Sequence, residues 1–391
     1  NFGQDSQNVS SAQSDGEGIG TFEYAPPTGY VALCTANLTT PAIGPTESSQ
    51  AGDNFNTVLW SGDGSSSRGI TGVGFQPDWV WIKTRNNANE HSLFDSVRGV
   101  AKDLESNSTD AEQANNVNGY LNSFDSDGFT VVDGSSGSAL VNYSSGGTTN
   151  TYVAWNWKAG GSASSNSDGS TTSSVSANTD AGFSILTYTA DAATGTVGHG
   201  LNSAPELIIG RPRSDTNWFV METNTLSANQ VLNLDSTAAA YNPGVNHFND
   251  TFPTSTVVSY GGYMGNALSN DDKLMYCFHS VEGYSKVGSY IGNANADGPF
   301  VFTGFRPAFV LLKIKSAANA WFIYDDKREG YNEANDTLSP NYTAVEDSTY
   351  KLDLLSNGFK IKSSQNAHNQ SGQTFIYLAF AEAPFKFANA R

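Results

Sequence analysis

The chain has little to brace it covalently or anchor it to a charged partner. Two cysteines, Cys34 and Cys277, stand in 391 residues, so no disulfide framework holds the protein together and the pair is expected to stay unbonded. Lys and Arg number 20 against 38 Asp and Glu, a net charge of −18. That balance argues against nucleic acid and against anionic membrane as partners. It leaves cation binding open. No apolar run is long enough to span a membrane, and no stretch of the sequence reads as a signal peptide. The five histidines are His91, His199, His247, His279 and His368, and none has metal-ligand spacing. A Gly-x-Ser-x-Gly elbow and a phosphate-binding glycine loop are also missing. Carboxylate pairs for glycoside hydrolysis are set by space rather than spacing, and nothing nominates one. No enzyme activity and no cofactor is expected.

What is present is turn chemistry and rings. Charged residues are only 15% and aromatics reach 12%, with Gly, Ser, Thr and Asn abundant. Such a chain folds as an all-β protein and is too aromatic for disorder.

One stretch recurs. Gly74-Phe75-Gln76-Pro77-Asp78-Trp79-Val80-Trp81-Ile82-Lys83 returns as Gly304-Phe305-Arg306-Pro307-Ala308-Phe309-Val310-Leu311-Leu312-Lys313. A worn version, Gly200-Leu201-Asn202-Ser203-Ala204-Pro205-Glu206-Leu207-Ile208-Ile209, lies between. Each reads as a turn feeding a buried strand. Landmarks keep step: Phe75 to Phe129 and Phe305 to Phe359 both span 54 positions. Asp95 and Arg98 follow Phe75 by 20 and 23 positions, as Asp325 and Arg328 follow Phe305. Closing strands begin at Tyr152, Tyr276 and Tyr377. A fixed period with several matched landmarks predicts a repeated module.

The expected organisation is therefore a connector over 1–51, a module over 52–160, a Gly/Ser linker over 161–180, and modules over 181–282 and 283–391. Each module is expected to be a two-layer β-sandwich, jelly-roll or lectin-like, that hides its rings between its own layers. The opening strands Phe55–Trp60, Phe183–Tyr188 and Tyr284–Tyr290 alternate as half-buried strands do. Residues 98–118 are the stretch least unlike a helix.

Several constellations invite a functional reading. Trp79 and Trp81 share a strand face, as do Trp155 and Trp157, and core packing is the expectation for Trp79, Trp81 and Trp155. Trp218 and Trp321 fall at nearly equivalent positions, which again favours structure. The Asp95/Arg98 and Asp325/Arg328 pairs are expected to pin turns, with Met221 and Asn224 standing there in the middle copy. Asp125-Ser126-Asp127-Gly128 starts like a calcium loop but runs into a strand, and the later copy has Ser356-Asn357-Gly358. Asn270-Asp271-Asp272 is a second, weaker acidic turn. The loops without counterparts elsewhere are the binding candidates. They are Tyr241-Asn242-Pro243-Gly244-Val245-Asn246-His247-Phe248-Asn249-Asp250 and Tyr260-Gly261-Gly262-Tyr263-Met264. Rings beside short amides suit adaptable recognition, so Tyr241, Asn246, His247, Tyr260 and Tyr263 are the candidate ligand-binding residues.

The N-terminal region adds a resemblance. Asn1-Phe2-Gly3-Gln4, Tyr24-Ala25-Pro26-Pro27-Thr28-Gly29-Tyr30 and Ala32-Leu33-Cys34-Thr35 resemble the end of a SPRY-like domain and its exit linker. The arrangement is similar to large virion proteins of marine tailed phages, where a module like residues 55–157 follows, including Ser123-Phe124-Asp125-Ser126-Asp127-Gly128-Phe129. The resemblance implies a virion surface or tail-fibre protein, extracellular, with a larger β domain upstream of Asn1. It implies adhesion to a host-surface glycan or protein, contact with other virion proteins, and a homo-oligomer, a trimer in the case of a fibre. It also implies no enzymology. A purely structural fibre or decoration protein is the alternative, and a polysaccharide-trimming enzyme ranks behind both.

Overall fold

The proline-led runs do become strands, and each sits inside its sheet rather than at an edge. The computed structural model describes residues 11–37, 42–44, 49–266 and 272–382. They belong to two units, one of Asn1–Pro41 with Lys386–Ala388 and one of Ala42–Phe385 with Asn389–Arg391. The resembling residues Asn1 to Gln4, and Asn270 and Asp271, lie outside the described residues.

In the first unit Asp15 is the organising residue. Its carboxylate accepts the Glu17, Ile19 and Ala32 amides and the Asn37 side-chain amide. Around that knot Tyr24, Tyr30 and Leu33 are exposed.

The second unit is nearly all β, with several sheets and no barrel. Among the described residues the α-helical part is Asn366–Asn369. One strand order recurs along the chain. In the first segment the opening strand Phe55–Ser61 pairs with the closing strand Thr151–Trp157. That strand pairs with the proline strand Trp79–Thr84, which pairs with the acid strand Ser92–Asp95. The second segment repeats this order with Phe183–Thr189, Asp272–Phe278, Leu207–Pro212 and Phe219–Glu222. The third does so with Ser285–Ile291, Thr374–Ala381, Pro307–Ile314 and Trp321–Asp325. Each segment carries a smaller sheet as well. Strands Ser67–Thr71, Gly128–Val132 and Tyr120–Asp125 form the first of these. Thr194–Gly198 with Val257–Gly261 forms the second. Phe300–Phe302, Gly358–Ile361 and Leu352–Leu355 form the third.

The proline strands are buried at every position, because both faces are covered. In the first segment Val80, Ile82, Phe94, Tyr152 and Ala154 pack against Ile70, Leu121, Phe129 and Val131 of the small sheet. The opposite face carries Trp79, Trp81, Trp155 and Trp157, and these do not lie between the segment's own layers as expected. They enter a core shared by all three segments. Trp79 stacks on Tyr276 at 4.3 Å, Trp157 meets Phe309 edge-on at 5.5 Å, and Phe55 stacks on Phe380 at 5.2 Å. The reason is areal. A strand that is apolar on both faces needs two partners, and the small sheet covers only one of them.

Two further expectations are corrected. Residues 161–180 are not a bare linker: Ser164–Asn166 and Ser173–Asn178 form a hairpin that extends the second segment's sheet. The opening strand Phe183–Thr189 offers an unpaired backbone edge, and a Ser/Thr strand satisfies it while burying Val175 beside Leu186 and Tyr188. Residues 98–118 hold strands Lys102–Glu105 and Gln113–Ala114 rather than a helix. Ala101 and Asn115 take positive φ there, which no helix accommodates.

The Asp125-to-Gly128 turn is held by protein groups. Asp125 accepts the Ser123 and Thr130 hydroxyls, and Asp127 accepts the Gly72 and Gly74 amides. Gly128 is required by proximity, since a Cβ there would lie 2.0 Å from the Ile70 carbonyl oxygen. Gly358 meets the Val301 carbonyl in the same way. The Gly-Phe landmark therefore marks a close backbone approach.

The segments interlock by one scheme used three times. Six positions past Pro77, Pro205 and Pro307 stand Lys83, Arg211 and Lys313, all buried. Lys83 Nζ donates to the Thr343 carbonyl at 3.0 Å, Arg211 to those of Thr109 and Asp110 at 3.1 and 2.8 Å, and Lys313 Nζ to that of Thr237 at 3.1 Å. Two positions on, the carbonyls of Arg85, Arg213 and Lys315 accept the amides of Glu346, Glu112 and Ala240. The first segment thus holds a loop of the third, the second a loop of the first, and the third a loop of the second. The contacts close a cycle. Burial pushes both lysine ammoniums down to about 8.

Candidate functional site

The acid strands end on equivalent residues. In cross-strand register Trp79 faces Asp95, Leu207 faces Glu222 and Phe309 faces Asp325. Counting along the sequence placed Met221 and Asn224 there; the register places Glu222 and, three residues on, Thr225.

At two junctions the acid sits in an ion network. Arg98 Nε lies 2.5 Å from Asp95 Oδ2, and both side chains are fully buried. Arg98 also reaches Glu112 at 3.1 Å, and Glu112 pairs with Arg213 of the second segment at 2.5 Å. Tyr276, from the second segment, donates its hydroxyl to Asp95 at 2.8 Å. The same set recurs where Arg328 pairs with Asp325 at 2.5 Å and Glu346 bridges Arg328 and Arg85. There Trp155 of the first segment donates Nε1–H to Asp325 at 3.0 Å. Burial pulls the Arg98 guanidinium down, but Asp95, Tyr276 and Glu112 outweigh it and hold it above its ordinary range. Both Asp–Arg pairs are therefore structural clamps, walled off from any substrate.

The third junction has lost this network. Glu222 accepts the Asn224 and Thr225 amides and the Thr225 hydroxyl. Thr225 stands where the other copies have arginine, and Ala240 where they have Glu112 and Glu346. Leu378, facing Leu311, stands where Trp155 faces Trp81 and Tyr276 faces Ile209. Among the described residues Lys315 Nζ donates to the Thr225 carbonyl in place of an ion pair.

In the third segment, against Thr237 of the second, opens a cleft of about 440 Å³, within the range of small-ligand sites. Phe322 and Tyr350 form its floor, and Tyr342, half exposed, stands at its rim. Thr237, Asn319, Thr337, Ser339 and Asp347 add polar groups, while Ala318, Ala320, Ala344 and Val345 add small apolar ones. The floor is a stack. Tyr350 lies 4.3 Å from the His368 ring and Phe322 lies 4.0 Å from it, while Tyr324 Oη and His368 Nε2 are 2.7 Å apart. Burial pushes His368 down to about 3, so the imidazole is neutral. Burial, followed by Asp347 and Tyr342, pushes the Tyr350 hydroxyl up. Asp347 is placed by its backbone, which pairs both ways with Thr337, and its Oδ1 accepts the Thr349 amide and hydroxyl.

The expected binding residues lie in the second segment, and the structure divides them. Tyr241 and Tyr263 are each about one-third exposed. Together they flank His247, at ring distances of 6.4 and 5.4 Å. His247 itself is buried, stacked on Phe219 at 3.7 Å, and burial pushes it down to about 4. Asn246 spends its amide on the Pro243 carbonyl at 2.7 Å. Tyr260 is fully buried, with its hydroxyl 2.7 Å from Thr171 Oγ1 and its ring beside Tyr188. His247 and Tyr260 are therefore corrected to core residues. Tyr260 sits in strand Val257–Gly261, whose last four residues are all buried, and His247 follows the 3-10 turn Gly244–Asn246 and is buried on Phe219. Phe219 and Phe322 are register equivalents, facing Gly210 and Leu312, so the two Phe–His–Tyr stacks occupy matching places. Thr237 on the cleft and Tyr241 on the patch are four residues apart, a reach of at most about 14 Å.

Sequence reading missed the cleft because its floor comes from residues 322, 350 and 368, which no local motif links. The recurrence of an aromatic past Trp218 and Trp321 was the one available signal.

The fold and the recess define a nearly all-β protein of packed sheets, with an aromatic-floored cleft where the third segment meets Thr237 of the second. Residues 50–384 match the family described as Domain of unknown function (DUF7483), and the chain belongs to that family. The match spans all three segments and begins just before the first opening strand. No curated protein and no solved structure matches the chain.

Proposed function

We propose that this chain is a glycan-binding adhesion protein, made of three related β-sandwich modules closed into one body, and that it works at a virion surface. The observation that carries the binding role is the cleft that the third segment forms against Thr237 of the second, where rings and hydroxyls line an open recess. The Asp–Arg pairs, by contrast, are fully buried and serve as clamps. A flat ring matches the apolar face of a pyranose, while Thr, Ser, Asn and Asp groups match its hydroxyls. The lining holds one carboxylate, Asp347, whereas glycoside hydrolysis ordinarily uses two. That favours binding over cleavage. The virion setting rests on the N-terminal resemblance, and repeated copies on a particle would multiply weak single-site affinity.

A purely structural role is the second reading. It draws on Phe300 and Phe302, both exposed on the edge strand Phe300–Phe302, a surface that suits assembly.

A glycan array probed with the purified chain separates the two. Signal on at least one oligosaccharide is expected, and Tyr350→Ala should weaken it about tenfold or more, with Tyr350→Phe restoring it. An array blank for the wild type, or binding indifferent to Tyr350→Ala, contradicts the proposal.

A further inference from the structure

The charge around the cleft narrows the ligand class. We infer that it takes uncharged sugars and rejects those bearing carboxylate or sulfate groups, an inference that rests on the glycan-binding reading above. The lining residues include Asp347 and no basic side chain. Cations in the neighbouring stretches have partners of their own, Lys351 with Glu333 and Arg85 with Glu346. Lys313 lies buried behind the wall with Nζ on the Thr237 and Asn319 carbonyls, at 3.1 and 2.6 Å. Lys315 is held on the Thr225 carbonyl at 2.6 Å. Neither ammonium is free to meet an anion in the recess. Recognition of an anionic sugar ordinarily uses an arginine fork or a free ammonium. An acid at the rim does the reverse, since a like charge brought close is a specificity element against the wrong ligand. The net charge of −18 adds to the same field. The remaining lining, Ala318, Ala320, Ala344 and Val345, suits the apolar face of a neutral pyranose.

The test pairs each neutral oligosaccharide on the array with its C6-oxidised counterpart, which adds a carboxylate while keeping ring stereochemistry. Titration of the whole chain with soluble members of each pair at low salt is expected to favour the neutral form about tenfold or more. The gap should shrink at 0.5 M NaCl, where the screening length falls to about 4 Å. Asp347→Lys should reverse the ranking, provided its melting temperature stays near wild type. If that variant does not fold, the salt dependence of the wild type decides alone. Equal or tighter binding of the oxidised forms overturns this inference and leaves glycan binding standing. A neutral preference that ignores salt also overturns it, by pointing to shape rather than charge. No binding of either form removes the glycan reading itself.

Discussion

A chain cut after Glu282 is expected not to fold. The first two segments would keep every strand of their own sheets, so modules strung like beads would survive the cut. Here the rings of the first segment need the third. Phe55 and Trp157 pack on Phe309 and Phe380, and removing the third segment returns that face to water. Each large side chain so exposed forfeits about 1.5–3 kcal/mol, and several do so together against a net stability of only about 5–15 kcal/mol. The cut also strands buried charge. Lys83 loses the Thr343 carbonyl, and Arg85 loses Glu346. Far-UV circular dichroism and a thermal melt of residues 42–282 check this. A sharp melt near that of the full chain would contradict it.

Arg328→Ala is expected to destabilise the protein by about 3–5 kcal/mol, the usual cost of leaving one member of a buried pair alone. Asp325 would remain buried with the Trp155 indole as its neighbour-segment donor, and its charge would lack a cation. The double change Asp325→Asn with Arg328→Met should recover much of the loss, because no orphaned charge remains. Glu333→Gln, which breaks the exposed pair with Lys351, should by comparison leave the unfolding midpoint almost unchanged. The pH dependence follows the same logic. Burial alone raises the Asp325 carboxyl, but Arg328 outweighs it and leaves the folded pKa below the usual 3.8. A depressed acid contributes stability that is present above the unfolded value and is lost as pH falls through the folded one. The wild type should therefore lose this contribution below about pH 4, and the double variant should not. Urea titrations at pH 7 and pH 3 measure both effects.

The sequence carried the strands better than their assembly. Pro77, Pro205 and Pro307 marked three equivalent strands because a glycine turn, a proline and an apolar run constrain the backbone locally. The Trp79, Trp81 and Trp155 core was legible because alternation puts them on one face. What escaped was which face each ring serves, since a strand apolar on both sides gives no preference in its pattern. Glu222 escaped by one residue, because Ser203 and Ala204 lengthen the turn by two while the stretch from Leu207 to Glu222 is one residue shorter than from Trp79 to Asp95, so counting from Leu201 slips against the register. The hairpin over 164–178 escaped because Ser and Thr pair at an edge without an apolar period. The cleft escaped for a different reason: Phe322, Tyr350 and His368 converge only after the third sheet has formed, and the loop from the second segment that brings Thr237 is placed by Lys313. Of the five candidate binding residues, Tyr241 and Tyr263 were readable as exposed rings, whereas His247 and Tyr260 looked the same in sequence and are buried.

Equilibrium unfolding in guanidinium, followed by tryptophan fluorescence and by far-UV circular dichroism on one sample, tests the cyclic body most directly. Five of the seven tryptophans lie in the first segment, whereas the dichroism reports strands from all three. One body predicts superimposable transitions with a single midpoint. Separate midpoints, with fluorescence changing while much of the strand signal persists, would mean that the segments fold alone and would contradict the account.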